Sequence, residues 1–153
     1  MSKAELAGIF SVKLPVTDLQ RSLQWYQQVF DVRPIIEFPD DTDGVVRGIA
    51  CEVPGLGDTG LALREDPDHA RGISGFAPVN FAVRDKAAIE AWAGRLDRLG
   101  IEHSPTIDAT VGWLLVFYDP DGLELHLYSR ERHGLNQSDR PGYGRSAHAE
   151  ATA

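Results

Sequence analysis

After Asp119-Pro120-Asp121-Gly122, the residues Glu124, His126 and Tyr128 alternate with Leu123, Leu125 and Leu127. With a period of two, a carboxylate, an imidazole and a phenol share one face of a strand. Imidazole changes charge near neutral pH, and a carboxylate two residues away can take or return its proton or hold the ring in place. Two readings stand side by side. Glu124 and His126 line a binding surface and act as acid and base, or they form a hydrogen-bonded pair or a salt bridge to Lys13 or Arg64. Lys13 either holds an anionic group of a ligand or neutralises Glu124. Asn80 carries an amide that needs a partner wherever it points inward. Trp113 and Phe117 precede the turn and offer either a stacking surface for an aromatic ligand or core packing. Trp25 and Trp92 read as packing residues on helices, and His69, His103, His133 and His148 as solvated side chains.

Elements that position these groups follow from the pattern. Phe10, Val12, Leu14 and Val16 alternate with Ser11, Lys13 and Pro15, the period of a half-buried strand. Thr17 and Gln20 are spaced for a capping box, and Leu19, Leu23, Tyr26 and Phe30 predict a helix from about Leu19 to Phe30. Strands are expected at Ile35 to Phe38, Val45 to Val53 and Thr59 to Arg64. The polar stretch from Glu65 to Phe76 reads as an irregular connection. The pattern then restarts: Val79, Phe81 and Val83 alternate, Asp85 caps, and Ile89, Trp92, Leu96 and Leu99 form a helical stripe that ends at Gly100. Strands near Glu102 to Ser104, Gly112 to Tyr118 and Leu123 to Tyr128 complete the set. A shift of 67 residues superposes Val12 on Val79, Leu14 on Phe81, Val16 on Val83 and Asp18 on Asp85, so the chain contains an internal duplication.

The duplication predicts an α+β domain over residues 1–129, with modules at about 9–66 and 77–129, and a polar, mostly irregular tail at 130–153. In each module a helix covers the apolar face of a sheet and the mixed, polar face is left over. That face carries Ser11, Lys13, Pro15, Ala62 and Arg64 from the first copy, and Pro78, Asn80, Ala82, Glu124, His126 and Tyr128 from the second. Two such faces side by side would make a trough for a ligand.

Composition narrows the function. A chain of 153 residues with 42% hydrophobic content can bury one core, and its net charge of -8 argues against nucleic acid and anionic membrane as partners. There is no apolar run of about 18 residues and no signal-like start, so a cytoplasmic protein is expected. Cys51 is the single cysteine and reads as a buried, inert thiol.

Val12–Tyr26, Val79–Asp85 and Phe117–His126 together resemble the vicinal oxygen chelate superfamily, which includes glyoxalases, bleomycin-resistance proteins and extradiol dioxygenases. The likeness covers roughly Phe10 to Tyr128. It implies paired βαβββ modules forming a cup-shaped mixed sheet with helices outside, usually in a homodimer. Metal-dependent members place ligands at positions that correspond to Ser11, Ala62, Pro78 and His126. Only His126 is a competent ligand there, so no metal and no other cofactor is expected. The resemblance therefore points to a metal-independent protein of the bleomycin-resistance type, sequestering an antibiotic-like natural product through Ser11, Lys13, Arg64, Asn80, Trp113, Glu124, His126 and Tyr128. The alternative is a superfamily isomerase, lyase or dioxygenase-like enzyme using Glu124 and His126, with Lys13, as acid–base groups or His126 as a metal ligand.

Overall fold

Asp18, not Thr17, starts the first helix: its carboxylate accepts from the Arg21 N–H at 3.0 Å. The Thr17 N–H is engaged elsewhere, on Asp121. The computed structural model describes residues 2–148; the end of the tail expected to be irregular, 149–153, lies outside them. Two units emerge, one running to Gly75 and including Asp119–Leu123, the other holding Phe76–Tyr118 and continuing from Glu124.

In the first unit the order is β1 (Ser11–Val16), α1 (Leu19–Phe30), β2 (Arg33–Pro39), β3 (Val46–Glu52), β4 (Gly60–Glu65) and a short α2 (Pro67–Ile73). The strands lie in the order β1-β4-β3-β2, with β1 parallel to β4 and the other neighbours antiparallel. Leu14, Val16, Ile49, Cys51, Leu61 and Leu63 bury one face, and α1 buries Leu19, Leu23, Tyr26, Val29 and Phe30. Each such side chain contributes about 1.5–3 kcal/mol when removed from water. Burial pushes the Cys51 thiol up to about 11, which keeps it protonated and inert at neutral pH. Phe10, expected with the apolar face, instead lies ahead of β1 and is 91% exposed.

The second unit repeats the plan: β5 (Asn80–Val83), α3 (Lys86–Arg98), β6 (Ile107–Asp108), β7 (Gly112–Tyr118) and β8 (Glu124–Arg132), in the order β5-β8-β7-β6. Asp85 caps α3 through the Ala88 N–H, and Gly100 leaves it at φ 71°. Phe81, Leu115, Phe117, Leu125 and Leu127 bury the sheet's inner face, with Ile89 and Leu96 from α3. The two βαβββ modules are thus present, as the duplication implies.

Three segments differ from the sequence expectation. The connection after β4 contains α2, because Asp66 caps it by accepting from the His69 N–H and Pro67 needs no donor in the first turn. The strand expected at Glu102 to Ser104 shrinks to a bridge between His103 and Phe117. Pro105 cannot donate to the ladder, and the strand proper resumes at Ile107–Asp108. Finally, β8 runs past Ser129 to Arg132, pairing with Gly112 across a register shift. The described part of the tail, 133–148, has no helix or strand, yet it is tied down: Gln137 is buried and donates to the Asp108 carbonyl at 3.2 Å.

Candidate functional site

Parallel pairing of β5 with β8 sets Asn80 beside His126 and Ala82 beside Tyr128, while antiparallel pairing of β7 with β8 sets Val116 beside His126, Leu114 beside Tyr128 and Tyr118 beside Glu124. All of these side chains share the face that α3 does not cover. On it His126 sits between two partners: Nδ1 lies 3.0 Å from Asn80 Oδ1, and Nε2 lies 3.2 Å from Glu124 Oε1. A hydrogen must lie between the imidazole and the carboxylate for that contact to be attractive, so the two form a hydrogen-bonded pair. The side chains are about one-fifth to one-quarter exposed, 21% for His126 and 25% for Glu124.

Polar capacity remains on this face. Glu124 Oε2 and the Asn80 amide nitrogen have no hydrogen bond among the described residues. The Tyr128 hydroxyl oxygen accepts from the Val111 N–H at 3.0 Å and, at the long limit, from Gly112 at 3.4 Å, leaving its own proton to be donated. Ala82, Leu114 and Val116 supply the apolar ground between these groups.

In the first unit, Lys13 is exposed, pairs in register with Ala62, and makes no ion pair among the described residues. Ser11 lies half-buried across from Gly60. Arg64 does not reach for Glu124. It binds Asp40 at 3.0 Å, and Asp40 also holds Arg47. Those two arginines keep the Asp40 carboxyl below the ordinary carboxylate range, and Arg47 holds Asp43 down to about 2. Glu124 is thus paired with His126, the hydrogen-bonded alternative of the sequence reading. Arg64 belongs to a local network at the β2–β3 hairpin.

Trp113, expected as a stacking surface, has the parity of the core residues Leu115 and Phe117. Its ring lies 5.7 Å from Lys86 Nζ at the start of α3 and edge-on to His133 at 5.8 Å. It packs the helix side of the sheet, away from His126. Conversely, Tyr118, Leu114 and Val116 were not singled out. Reading β7 from the buried Leu115 and Phe117 outward gives the signal that finds them. His103 is not merely solvated: both ring nitrogens meet acceptors, Ser104 O and Asp97 Oδ1, each at 2.7 Å, and the two bonds raise its pKa.

The turn that joins β7 to β8 is fixed within the first unit. Asp119 Oδ1 accepts from the Asp121 and Leu123 N–H groups, closing the turn, and Gly122 takes φ 79°. The buried Tyr26 hydroxyl donates to Asp119 Oδ2 at 2.8 Å, and Asp121 receives Thr17 N–H and Arg21 at 3.1 Å each. Burial raises the Asp119 pKa against those hydrogen bonds, which favour the ionised form. The turn's own carboxylates are thus occupied.

At the four positions to which the resemblance assigns metal ligands, the side chains are a hydroxyl (Ser11), a methyl (Ala62), a pyrrolidine ring (Pro78) and an imidazole (His126). That imidazole has both nitrogens beside other side chains. Such a donor set does not fit a divalent transition metal, which takes imidazole, thiolate or carboxylate from several positions. Among the described residues no group of three or more His, Cys, Asp or Glu is arranged to hold an ion, and no helix is long and apolar enough to cross a membrane.

The model of the Glyoxalase/Bleomycin resistance protein/Dioxygenase superfamily matches residues 8–127. No curated protein matches the sequence. Solved structures with this fold include a glyoxylase/bleomycin resistance protein/dioxygenase domain from Frankia sp. EAN1pec, 25% identical, covering 86% of this chain and 96% of that one at a TM-score of 0.64. TnmS3, an antibiotic binding protein from Streptomyces sp. CB03234, is 20% identical over 83% of this chain and 98% of its own, at 0.65. A mutant of the fosfomycin resistance protein FosX from Listeria monocytogenes, complexed with Mn(II) and 1S,2S-dihydroxypropylphosphonic acid, is 17% identical over 81% and 90%, at 0.62.

Proposed function

The chain belongs to the Glyoxalase/Bleomycin resistance protein/Dioxygenase superfamily, and we propose that within it this protein binds an amphipathic, antibiotic-like small molecule without a metal ion. The observation that carries the reading is the occupied imidazole. His126 is held between Asn80 and Glu124, leaving Glu124 Oε2 as an acceptor and the Asn80 amide and Tyr128 hydroxyl as donors over Ala82, Leu114 and Val116. A few directed polar groups on an apolar ground suit a hydroxylated, largely apolar ligand. The antibiotic binding protein from Streptomyces among the structural neighbours is in keeping with this choice. Ser11 and Lys13 are candidate ligand contacts on the first sheet's own open face, and the superfamily's usual homodimer is part of the proposal. The test is a thermal-shift screen of natural products on chelator-treated protein, repeated with Asn80→Leu and Glu124→Gln. Ligands that stabilise the parent should lose most of that effect in both variants. Stoichiometric zinc, iron, nickel or manganese, whose removal abolished binding, would contradict the reading.

The 3.2 Å contact between His126 Nε2 and Glu124 Oε1 also favours a second reading, acid–base catalysis on the bound molecule. Turnover that disappears in Glu124→Gln and His126→Ala, with folding intact, would select catalysis over simple binding.

A further inference from the structure

The polar row of β8 does not end at Tyr128. Ser129 is buried and Glu131 accepts from the Lys86 N–H at the start of α3, so both face the helix. Arg130 between them, and Arg132 beyond, therefore face the other way, with Tyr128 and His126. On the neighbouring strand Asn80 and Ala82 are followed by Arg84 on the same face, and the Glu131 N–H donates to the Arg84 carbonyl at 3.0 Å, which places Arg84 beside Arg130. Three exposed guanidiniums thus stand at one end of the sheet.

Their surroundings are unusual for this chain. It carries 23 acidic residues against 15 Lys and Arg, and Arg21, Arg33, Arg47, Arg64, Arg71 and Arg140 are each tied to a carboxylate. Among the described residues Arg84, Arg130 and Arg132 have no ion pair and no side-chain hydrogen bond. The acids nearest in sequence are committed: Glu131 to Lys86 N–H, and Asp85 to Ala88 N–H. Like charges brought together without a counter-charge disfavour one another, a cost that a bound anion removes. The Tyr128 hydroxyl, whose oxygen takes N–H bonds from Val111 and Gly112, the latter paired with Arg132, adds a neutral donor at this end of the sheet.

We propose that Arg84, Arg130 and Arg132, with the Tyr128 hydroxyl, form an oxyanion-binding site for a phosphate or carboxylate group. Guanidinium forks match the geometry of such oxygens. Four residues along the strand separate this site from His126, roughly 13 Å, so one small molecule can carry its polar head on Glu124 and Asn80 and its anion on the arginines. That assignment of the anion to the ligand rests on the binding reading above; the oxyanion site itself does not.

The test is an NMR titration of the full chain with inorganic phosphate, phenyl phosphate, benzoate and, as the neutral control, phenol, followed at the arginine Nε–Hε groups and the His126 ring. Inorganic phosphate should shift Arg84, Arg130 and Arg132 while leaving Arg98 in place. Phenyl phosphate should bind at least tenfold more tightly than phenol, and the advantage should vanish in the Arg84→Gln/Arg130→Gln double variant and persist in Arg98→Gln. Comparing phenyl phosphate with benzoate identifies which oxyanion is preferred, and a tenfold gain for either supports the site. Arginine shifts spread evenly over the protein, or a double variant that binds both anions as the parent does, would overturn it. If phenol moves His126 and no anion moves the arginines, the oxyanion site is wrong and the binding reading stands. If phosphate moves the arginines and neither aromatic probe moves His126, the converse holds.

Discussion

Tyr26 is the residue whose hydroxyl reaches furthest in consequence. It is fully buried, and its bond to Asp119 Oδ2 is charge-assisted when the carboxyl is ionised. Tyr26→Phe should destabilise the protein by about 1.5–3 kcal/mol at pH 7, the range for hydrogen bonds to charged groups. Because the bond is strongest to the ionised form, the loss should shrink as pH falls through the raised Asp119 pKa; urea melts of both proteins at neutral and acid pH read the difference. His103 gives a slope of the opposite sign. Its pKa is raised by its bonds to Ser104 and Asp97, so its contribution is complete below the unfolded value of about 6.5 and fades as pH rises through the folded one. Melting temperatures of parent and Asp97→Asn should therefore converge on raising the pH through that window, with a small gap because Asp97 is 70% exposed. A gap that widened with pH would contradict the assignment. At the same scale the sequence told which groups face outward, but not whom they meet. Alternation put His126 with Glu124, whereas the Asn80 contact depends on the parallel register of β5 on β8, which no local pattern specifies.

The Asp119–Gly122 turn shows what was legible in an element. Asp-Pro-Asp-Gly announced a turn with a positive φ, and Gly122 adopts one. Its docking was not legible, because it depends on Tyr26, Thr17 and Arg21, about 93 to 104 residues away in sequence. A Cβ at Gly122 would lie 2.6 Å from Ser74 Oγ, which is itself engaged by the Asp121 carbonyl. Gly122→Ala should cost about 1–3 kcal/mol from strain at that φ and more if Ser74 cannot move. Denaturant unfolding with an unchanged slope and a lowered midpoint is the expected result. The two longer helices were legible nearly to the residue, and α1 spans Leu19–Phe30 as its stripe of apolar residues requires. The α2 helix was hidden because seven residues carry too few apolar positions to show a period, and its signal lay only in Asp66 and Pro67.

Over the whole chain, the duplication was the strongest message in the sequence, and the equal strand orders β1-β4-β3-β2 and β5-β8-β7-β6 repeat it in three dimensions. What repetition could not convey is how far the copies have diverged in chemistry. The first sheet's open face has Lys13 beside Ala62 and an Arg64 committed to Asp40, while the second concentrates Asn80, Glu124, His126 and Tyr128. We accordingly propose that binding occurs on the second sheet first. The most direct measurement is a calorimetric titration of chelator-treated protein with a ligand taken from the natural-product screen, run on the parent and on Glu124→Gln. Binding should survive removal of metal and weaken at least tenfold in the variant. Binding that returned only on adding back a divalent metal, or that was indifferent to Glu124, would contradict the account.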